Sequence, residues 1–189
     1  MSKNLSDMSL EELWQLFPVV LTQHNDAWVE WYTEETTILN RILDNVKIER
    51  ISHIGSTAIK GIWAKPTVDI LVEISQGYNI NKVKELLVHN GYTCMSKYEN
   101  RMSFNKGYTV NGFAEKVFHL HLRLNGDNDE LYFRDFLNDN PIVASQYEEL
   151  KLILWKEYEH DRDGYTEVKG TFISEYTQRA KKVYGNRYV

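Results

Sequence analysis

The spacing of hydrophobic positions predicts helices at both ends of the chain and a β-sheet between them. Near the amino terminus, Ser9 and Glu12 form a capping-box pattern that begins a short helix, and Pro18 is expected to end it. This helix belongs to a predicted helical N-terminal arm of about residues 1–21. A longer helix is predicted over about residues 26–43, where apolar residues recur at helical spacing.

The middle of the chain has the alternating pattern of β-strands. The first strand ends at a Gly55-Ser56-Thr57 turn. The second strand is followed by a helix that ends near Gly91. A loop or hairpin end over residues 107–114 joins the third strand to the fourth. The four predicted strands are residues 46–54, 67–74, 101–106 and 117–124.

The remainder of the chain is predicted to be helical. Pro141 suits the first position of a helix that Asn140 caps and that runs to about Tyr158. A last helix stops at Gly185. The order of elements is helices, then a sheet interrupted by one helix, then helices. This order is typical of an α+β fold, so we expect a single domain over residues 1–189 with a helical C-terminal region.

Composition narrows the classes of function. The chain carries a formal net charge of −5 and a single cysteine. Nucleic-acid binding is not expected, because it requires a basic surface, whereas a small phosphorylated ligand needs only a local cluster of lysine and arginine. The sequence has neither an apolar segment of about 20 residues nor an N-terminal hydrophobic region, so we expect no membrane association and a cytoplasmic location.

The turn after the first strand is the first candidate for chemistry. A strand that ends in Gly55-Ser56 and turns into a short helix exposes backbone N–H groups, which together with side-chain hydroxyls bind phosphate oxygens. The alternative is a tight turn in which Ser56 or Thr57 only caps the helix.

Asp69 is the second candidate, because it lies inside a strand that is otherwise strongly apolar. An ionised carboxylate rarely occupies such a position without a partner or a metal ion. The alternative is an aspartate near a strand end that meets solvent or an arginine. Glu73 lies on the same face about 13 Å away, too far to share one metal ion, and is expected to be solvated.

Two histidines mark the strand of residues 117–124, where alternation is complete. One face is apolar, and the other carries His119, His121 and Arg123. The Cα atoms of the two histidines are expected about 6.6 Å apart, so that both imidazoles can converge on one metal ion or one phosphate. A lone histidine is more often structural, but two on one face favour a functional site.

The combination of these motifs resembles the GrpB family. The order and spacing of several segments match together, and the resemblance covers about residues 20–184. It implies a nucleotidyltransferase-like fold with a mixed β-sheet flanked by helices. The matching segments are His53 to Ala58, Lys65-Pro66 with Asp69, Arg101 to Gly107, His119-Leu120-His121, and Phe133 to Leu137 with Pro141.

The family resembles a branch of the nucleotidyltransferase superfamily. In that superfamily a Gly-Ser turn holds nucleotide phosphates, and acidic residues on later strands hold divalent metal. Carried over, the Gly55-Ser56 turn binds phosphate and Asp69 is a metal ligand. The second acidic position is Leu71, and the third is matched at best by His119 or His121. Mg²⁺ requires oxygen ligands, whereas one aspartate and two histidines suit Zn²⁺, Mn²⁺ or Fe²⁺ better.

Three hypotheses follow. The first is a nucleotidyltransferase in which Asp69, His119 and His121 hold Mg²⁺, Mn²⁺ or Zn²⁺, or in which one histidine acts as general base. The second is a module that binds a nucleotide or another phosphorylated small molecule and has lost transfer. The third is a metal-dependent hydrolase that uses the same three residues. The predicted phosphate-binding residues are Gly55, Ser56, Thr57, Lys65, Arg101 and Arg123.

Overall fold

Helices flank a five-stranded sheet in the computed structural model, which describes residues 4–189; residues 1–3 of the predicted N-terminal arm lie outside the described residues. The α+β class is confirmed. Two short 3-10 turns, Leu5–Asp7 and Ser56–Ala58, accompany the regular elements. In chain order these are α1 (Leu10–Leu16), α2 (Ala27–Ile42), β1 (Ile48–Ile54), β2 (Val68–Ile74), α3 (Ile80–His89), β3 (Thr93–Tyr98), β4 (Arg101–Thr109), β5 (Gly112–Leu124), α4 (Asp129–Asp139), α5 (Pro141–Glu157) and α6 (Arg162–Tyr184).

The sheet is mixed, with the strand order β1-β2-β5-β4-β3. β2 pairs in parallel with β5, and the other pairs are antiparallel. The fully buried Ile70 and Leu120 lie on the face of the sheet that packs with Trp28 of α2 and Leu87 of α3. On the other face, Leu71 packs with Leu131 of α4. This second face carries the candidate site.

The helix signals near both ends of the chain are confirmed in most details. The Ser9 side chain accepts a hydrogen bond from the Glu12 N–H, and Glu12 Oε2 accepts one from the Ser9 N–H, so the capping box forms. Pro141 begins α5. Asn140 is at the N-cap position but makes no capping bond, because its side chain donates to the carbonyl of Phe136. No helix within residues 4–189 is long and apolar enough to cross a membrane.

Two parts of the sheet differ from the prediction. β3 was not predicted: it is an edge strand that pairs with β4 alone and is largely exposed, so it lacks the alternation that burial of one face imposes. The predicted loop over residues 107–114 is mostly strand, since β4 and β5 extend to within two residues of each other at Thr109 and Gly112. Gly107 lies at an irregularity in this ladder, where an added Cβ would be 2.3 Å from the Lys116 carbonyl oxygen.

Candidate functional site

The parallel pairing of β2 with β5 brings Asp69 and the two histidines together. Asp69 is the register partner of His119, and His121 follows two residues along on the same face. Asp69 Oδ1 lies 3.3 Å from His119 Nδ1 and 3.4 Å from His121 Nε2. The carboxylate and both imidazoles therefore share one face of the sheet, as the alternation predicts.

The partners of His119 determine which of its ring nitrogens carries hydrogen. Arg162 Nη2 lies 2.8 Å from the Tyr108 hydroxyl oxygen, and a guanidinium group only donates. The Tyr108 oxygen thus accepts from Arg162, and it lies 2.8 Å from His119 Nε2. An ionised carboxylate only accepts, so the hydrogen of a neutral His119 is on Nδ1, which faces Asp69, and Nε2 accepts from the Tyr108 hydroxyl.

His121 is oriented in the same way by Arg123. Arg123 Nη2 lies 3.4 Å from His121 Nδ1, so this ring nitrogen accepts and Nε2 donates to Asp69. Both imidazoles consequently donate to the same carboxylate oxygen. Arg123 itself is buried and donates to the carbonyls of Met102 and Leu122, so it positions His121 from behind and does not line either cavity beside Asp69.

These contacts agree with the direction of the pKa shifts. Burial lowers the pKa of His119 to about 4, although the hydrogen bond to Asp69 raises it. Burial raises the pKa of Asp69, but the hydrogen bonds from His119 and His121 outweigh it and hold that pKa well below its ordinary value. At neutral pH the centre therefore contains an ionised carboxylate and an uncharged His119.

The three residues do not fit the divalent metal that the superfamily resemblance implies. Histidine binds a metal through a ring nitrogen without hydrogen, and here those two nitrogens accept hydrogen bonds from Tyr108 and Arg123. Leu71, at the second acidic position, is fully buried and apolar. Among residues 4–189, no group of three His, Cys, Asp or Glu side chains is placed to hold a metal ion.

The turn at Gly55 is in direct contact with Asp69. Gly55 has φ +71° and ψ −171°, a conformation essentially restricted to glycine. A Cβ at this position would lie 2.3 Å from Asp69 Oδ2. Only glycine allows the backbone to approach the carboxylate this closely, and the turn then presents Ser56 beside Asp69 in the lining of both adjoining cavities.

Three cations surround this centre. Lys65, Arg162 and Lys169 line a cavity of 260 Å³ together with Ser56, Asp69 and both histidines. Asp69 is the one carboxylate among the described residues of that lining. Burial, reinforced by repulsion from Arg162, lowers the pKa of Lys65 to about 7. Burial also lowers the pKa of Lys169 to about 8. The cavity is thus an electropositive environment.

Two other predicted phosphate contacts lie outside this cavity. The Thr57 side chain is buried, and its hydroxyl donates to the Thr67 carbonyl and lies 2.9 Å from His53 Nε2, so it closes the turn. Arg101 is paired with Asp127 on the exposed surface. Of the predicted set, Ser56 and Lys65 therefore line this cavity, Gly55 lines the adjoining one, and Thr57, Arg101 and Arg123 lie elsewhere.

Glu73 is a correction to the prediction of a solvated residue. It is fully buried at the opposite end of β2. One carboxylate oxygen accepts from the Gly126 N–H and the Asn128 amide, and the other pairs with Arg50 at 2.9 Å. This set of partners compensates the burial of the charge, so Glu73 is a structural residue.

Comparison with known proteins decides the family. Residues 18–179 match the family described as GrpB protein. The chain belongs to the GrpB family. The Glutamate-rich protein GrpB of Alkalihalophilus pseudofirmus is 35% identical over 163 residues, which cover 83% of this chain and 92% of that protein. The UPF0157 protein YqkA of Bacillus subtilis is 30% identical over 179 residues; these cover 92% of this chain but only 51% of YqkA, so the chain spans about half of that relative.

Solved structures extend the comparison to the fold. The crystal structure of GrpB from Enterococcus faecalis matches with a TM-score of 0.74 and 29% identity, over 87% of this chain and 99% of that one. A Cid1 poly(U) polymerase variant bound to MgATP matches with a TM-score of 0.50 and 9% identity, over 72% of this chain and 44% of the polymerase. The predicted nucleotidyltransferase-like fold of this GrpB family member is confirmed, and at such low identity the second likeness concerns the fold alone.

Arg162 and Lys169 were not found from the sequence of this GrpB family member. Both are on α6, where they form an i, i+3, i+4, i+7 series with Tyr165 and Thr166, and all four line the cavity. Such a series describes one face of a helix, and the two cations at its ends were the available signal. The sequence did not indicate that this face packs beside Asp69.

Proposed function

We propose that this GrpB family member binds a phosphorylated small molecule, with a nucleotide as first candidate, and holds the phosphate in the 260 Å³ cavity. The observation that carries the proposal is the charge of that cavity. Lys65, Arg162 and Lys169 face the single carboxylate of Asp69. With the pKa of Lys65 at about 7, between one and two positive charges remain near neutral pH, and a phosphate monoester of roughly −1.5 to −2 charge would neutralise them and favour the charged form of Lys65.

The same geometry favours binding without a divalent metal. In nucleotide enzymes, a metal ion commonly neutralises phosphate charge. Here Lys65, Arg162 and Lys169 can supply that charge, while His119 and His121 have their ring nitrogens engaged in hydrogen bonds. Asp69 then organises the two imidazoles and does not need to act as a ligand.

Metal-dependent nucleotidyl transfer is the second candidate. The fold favours it, and so does Asp69 Oδ2, which faces the Gly55 turn where superfamily members hold phosphate. Transfer by a two-carboxylate site would require an acid where Leu71 is buried. The hydrolase hypothesis requires both histidines to give up their present partners. Binding is therefore the function that the arrangement supports best.

Thermal unfolding with phosphate, ADP and ATP, each in EDTA and in Mg²⁺, Mn²⁺ or Zn²⁺, tests the proposal. A ligand at a hundred times its Kd should raise the free energy of unfolding by about 2.7 kcal/mol, or the melting temperature by roughly 5–11 °C, also in EDTA. Lys169→Gln should weaken binding about 10- to 100-fold, because a hydrogen bond to a charged group is lost. Lys182→Gln, an exposed change on the same helix, is the matched control.

The outcomes separate the candidates. Stabilisation that persists in EDTA and falls in Lys169→Gln supports metal-free binding. Stabilisation that appears only with metal and disappears in Asp69→Asn would replace this proposal with a metal-dependent enzyme, and release of pyrophosphate would identify it as a transferase. Absence of any shift with all three ligands would reject a phosphate site.

A further inference from the structure

A second, larger cavity opens from the phosphate site. It has a volume of 710 Å³ and shares Ser56, Asp69, His121 and Lys169 with the smaller cavity. Inorganic phosphate alone would leave most of this space unused, whereas cavities of roughly 300–1,000 Å³ are typical of sites for organic ligands. The joined cavities can therefore hold a phosphate together with the organic group that bears it.

Glu130 supplies an unused hydrogen-bond acceptor in the larger cavity. Its Oε2 atom is buried and has no hydrogen-bond partner among the described residues. Its other oxygen, Oε1, lies 3.7 Å from Arg123 Nη2, a charge contact longer than a hydrogen bond. A buried acceptor without a donor costs about 1–3 kcal/mol, and the Glu130 side chain is 33% exposed, so a rotation that turns this oxygen into the cavity would let it accept from a donor brought by a ligand.

The charges around Glu130 restrict the kind of donor. Lys169 and Lys181 line the same cavity, and Arg123 stands behind Glu130. Asp129 is already paired with Lys181. The three carboxylates among the described residues of this lining, Asp69, Asp129 and Glu130, are matched by these three cations, so the cavity does not require a cationic group from the ligand, and an uncharged hydroxyl suffices as the donor. The donor that fits best is therefore a hydroxyl group.

The remaining walls suit a compact organic body. Phe133, Tyr147 and Ile173 offer apolar surface, while Ser174, Thr177 and Gln178 add further polar groups. We infer that the ligand is a hydroxyl-bearing phosphate monoester, of the sugar phosphate or nucleoside monophosphate kind, whose hydroxyl donates to Glu130 Oε2 while its phosphate lies in the cationic cavity. This inference rests on the proposed function and extends it to the organic part of the ligand.

Calorimetric titration in EDTA tests the inference with four probes: inorganic phosphate, butyl phosphate, ribose 5-phosphate and adenosine monophosphate. In the unmodified chain, at least one hydroxylated ester should bind more tightly than butyl phosphate, which has the same charged group and no hydroxyl. Glu130→Gln should weaken that ester about 10- to 100-fold and leave inorganic phosphate within about twofold. Tighter binding of adenosine monophosphate would identify the ligand as a nucleoside monophosphate, and tighter binding of ribose 5-phosphate would identify it as a sugar phosphate.

Asp129→Asn is the matched control. It removes the same single negative charge from the lining of the same cavity, but from a carboxylate that already pairs with Lys181. Because it frees Lys181 in that lining and every probe carries a phosphate group, it should change the affinity of all four probes by a similar factor. The comparison therefore separates a lost hydrogen bond at Glu130 from a general change of charge.

Two results would overturn the inference and leave the proposed function standing. One is that inorganic phosphate binds but neither hydroxylated ester binds more tightly than butyl phosphate. The other is an equal loss for the hydroxylated ester in Glu130→Gln and Asp129→Asn. The comparison of butyl phosphate with ribose 5-phosphate uses the unmodified chain, so it holds even if Glu130→Gln does not fold. Failure of all four probes to bind would reject the proposed function itself.

Discussion

Replacing Gly55 by alanine tests whether the turn and Asp69 form one site. The backbone of Gly55, with φ +71° and ψ −171°, is strained for any residue with a Cβ, at about 1–3 kcal/mol. The new Cβ would lie 2.3 Å from Asp69 Oδ2, where ordinary contacts begin at 3.4 Å. Asp69 must therefore move by about 1 Å, which disturbs the contacts of 3.3 and 3.4 Å that its other oxygen makes with the imidazoles.

The expected loss combines two terms. Strain contributes about 1–3 kcal/mol, and a broken hydrogen bond to the carboxylate about 1.5–3 kcal/mol, so the free energy of unfolding should fall by roughly 2.5–6 kcal/mol. The melting temperature should fall by roughly 5–24 °C. Urea unfolding followed by tryptophan fluorescence measures stability. Calorimetric titration measures phosphate affinity, which should fall because the shifted turn no longer holds Ser56 in place in the cavity lining.

Gly77→Ala is the control for strain alone. Gly77 also has a positive φ, +80°, but a Cβ there would meet nothing within 4 Å. It should cost about 1–2 kcal/mol and leave phosphate affinity unchanged. If Gly55→Ala loses no more stability than Gly77→Ala and binds phosphate as well as the unmodified chain, the close approach of the turn to Asp69 is refuted.

Two further predictions concern the lysines and the buried hydroxyl. Lys65 and Lys169 have pKa values lowered from 10.5 to about 7 and about 8, so between about pH 7 and pH 9 the unfolded chain binds more protons and stability without ligand should rise with pH. Urea titrations across this window measure the free energy of unfolding at each pH. Saturating sulfate should flatten its rise with pH. A free energy of unfolding that falls with pH would contradict the assigned pKa shifts. Thr57→Val should cost about 1–3 kcal/mol without changing phosphate affinity by calorimetry, because the hydroxyl bonds to Thr67 and lies beside His53. A large loss of affinity would return Thr57 to the phosphate site.

The face of the sheet that carries the site was predictable from alternation. In β2 and β5, side chains such as Ile70 and Leu120 fill the core beneath α2 and α3, so Asp69 and His119 had to lie on the other face. Alternation does not state which strands are neighbours. The expected proximity of the two residues therefore depended on β2 and β5 being adjacent and parallel in one register.

The missed features have physical causes. β3 is an edge strand with little burial, so no hydrophobic period marks it. Arg162 and Lys169 share one face of α6, but helical spacing does not tell against which part of the sheet that face packs. Arg101 was expected near the phosphate because of its charge and its place in a segment that resembles the family, but the half-buried carboxylate of Asp127 binds it instead. Side-chain partners of this kind are set by tertiary structure.

Leu71 occupies the position at which the superfamily resemblance implies a second acid. Its side chain is fully buried with Ile54 and Leu131, between the sheet and α4. A carboxylate there would be desolvated among apolar side chains, at a cost of several kcal/mol, so an acid cannot be restored by one substitution. With a single carboxylate left, the positive charge that a metal ion would bring has to come from the protein, and Arg162 and Lys169 stand where they can supply it.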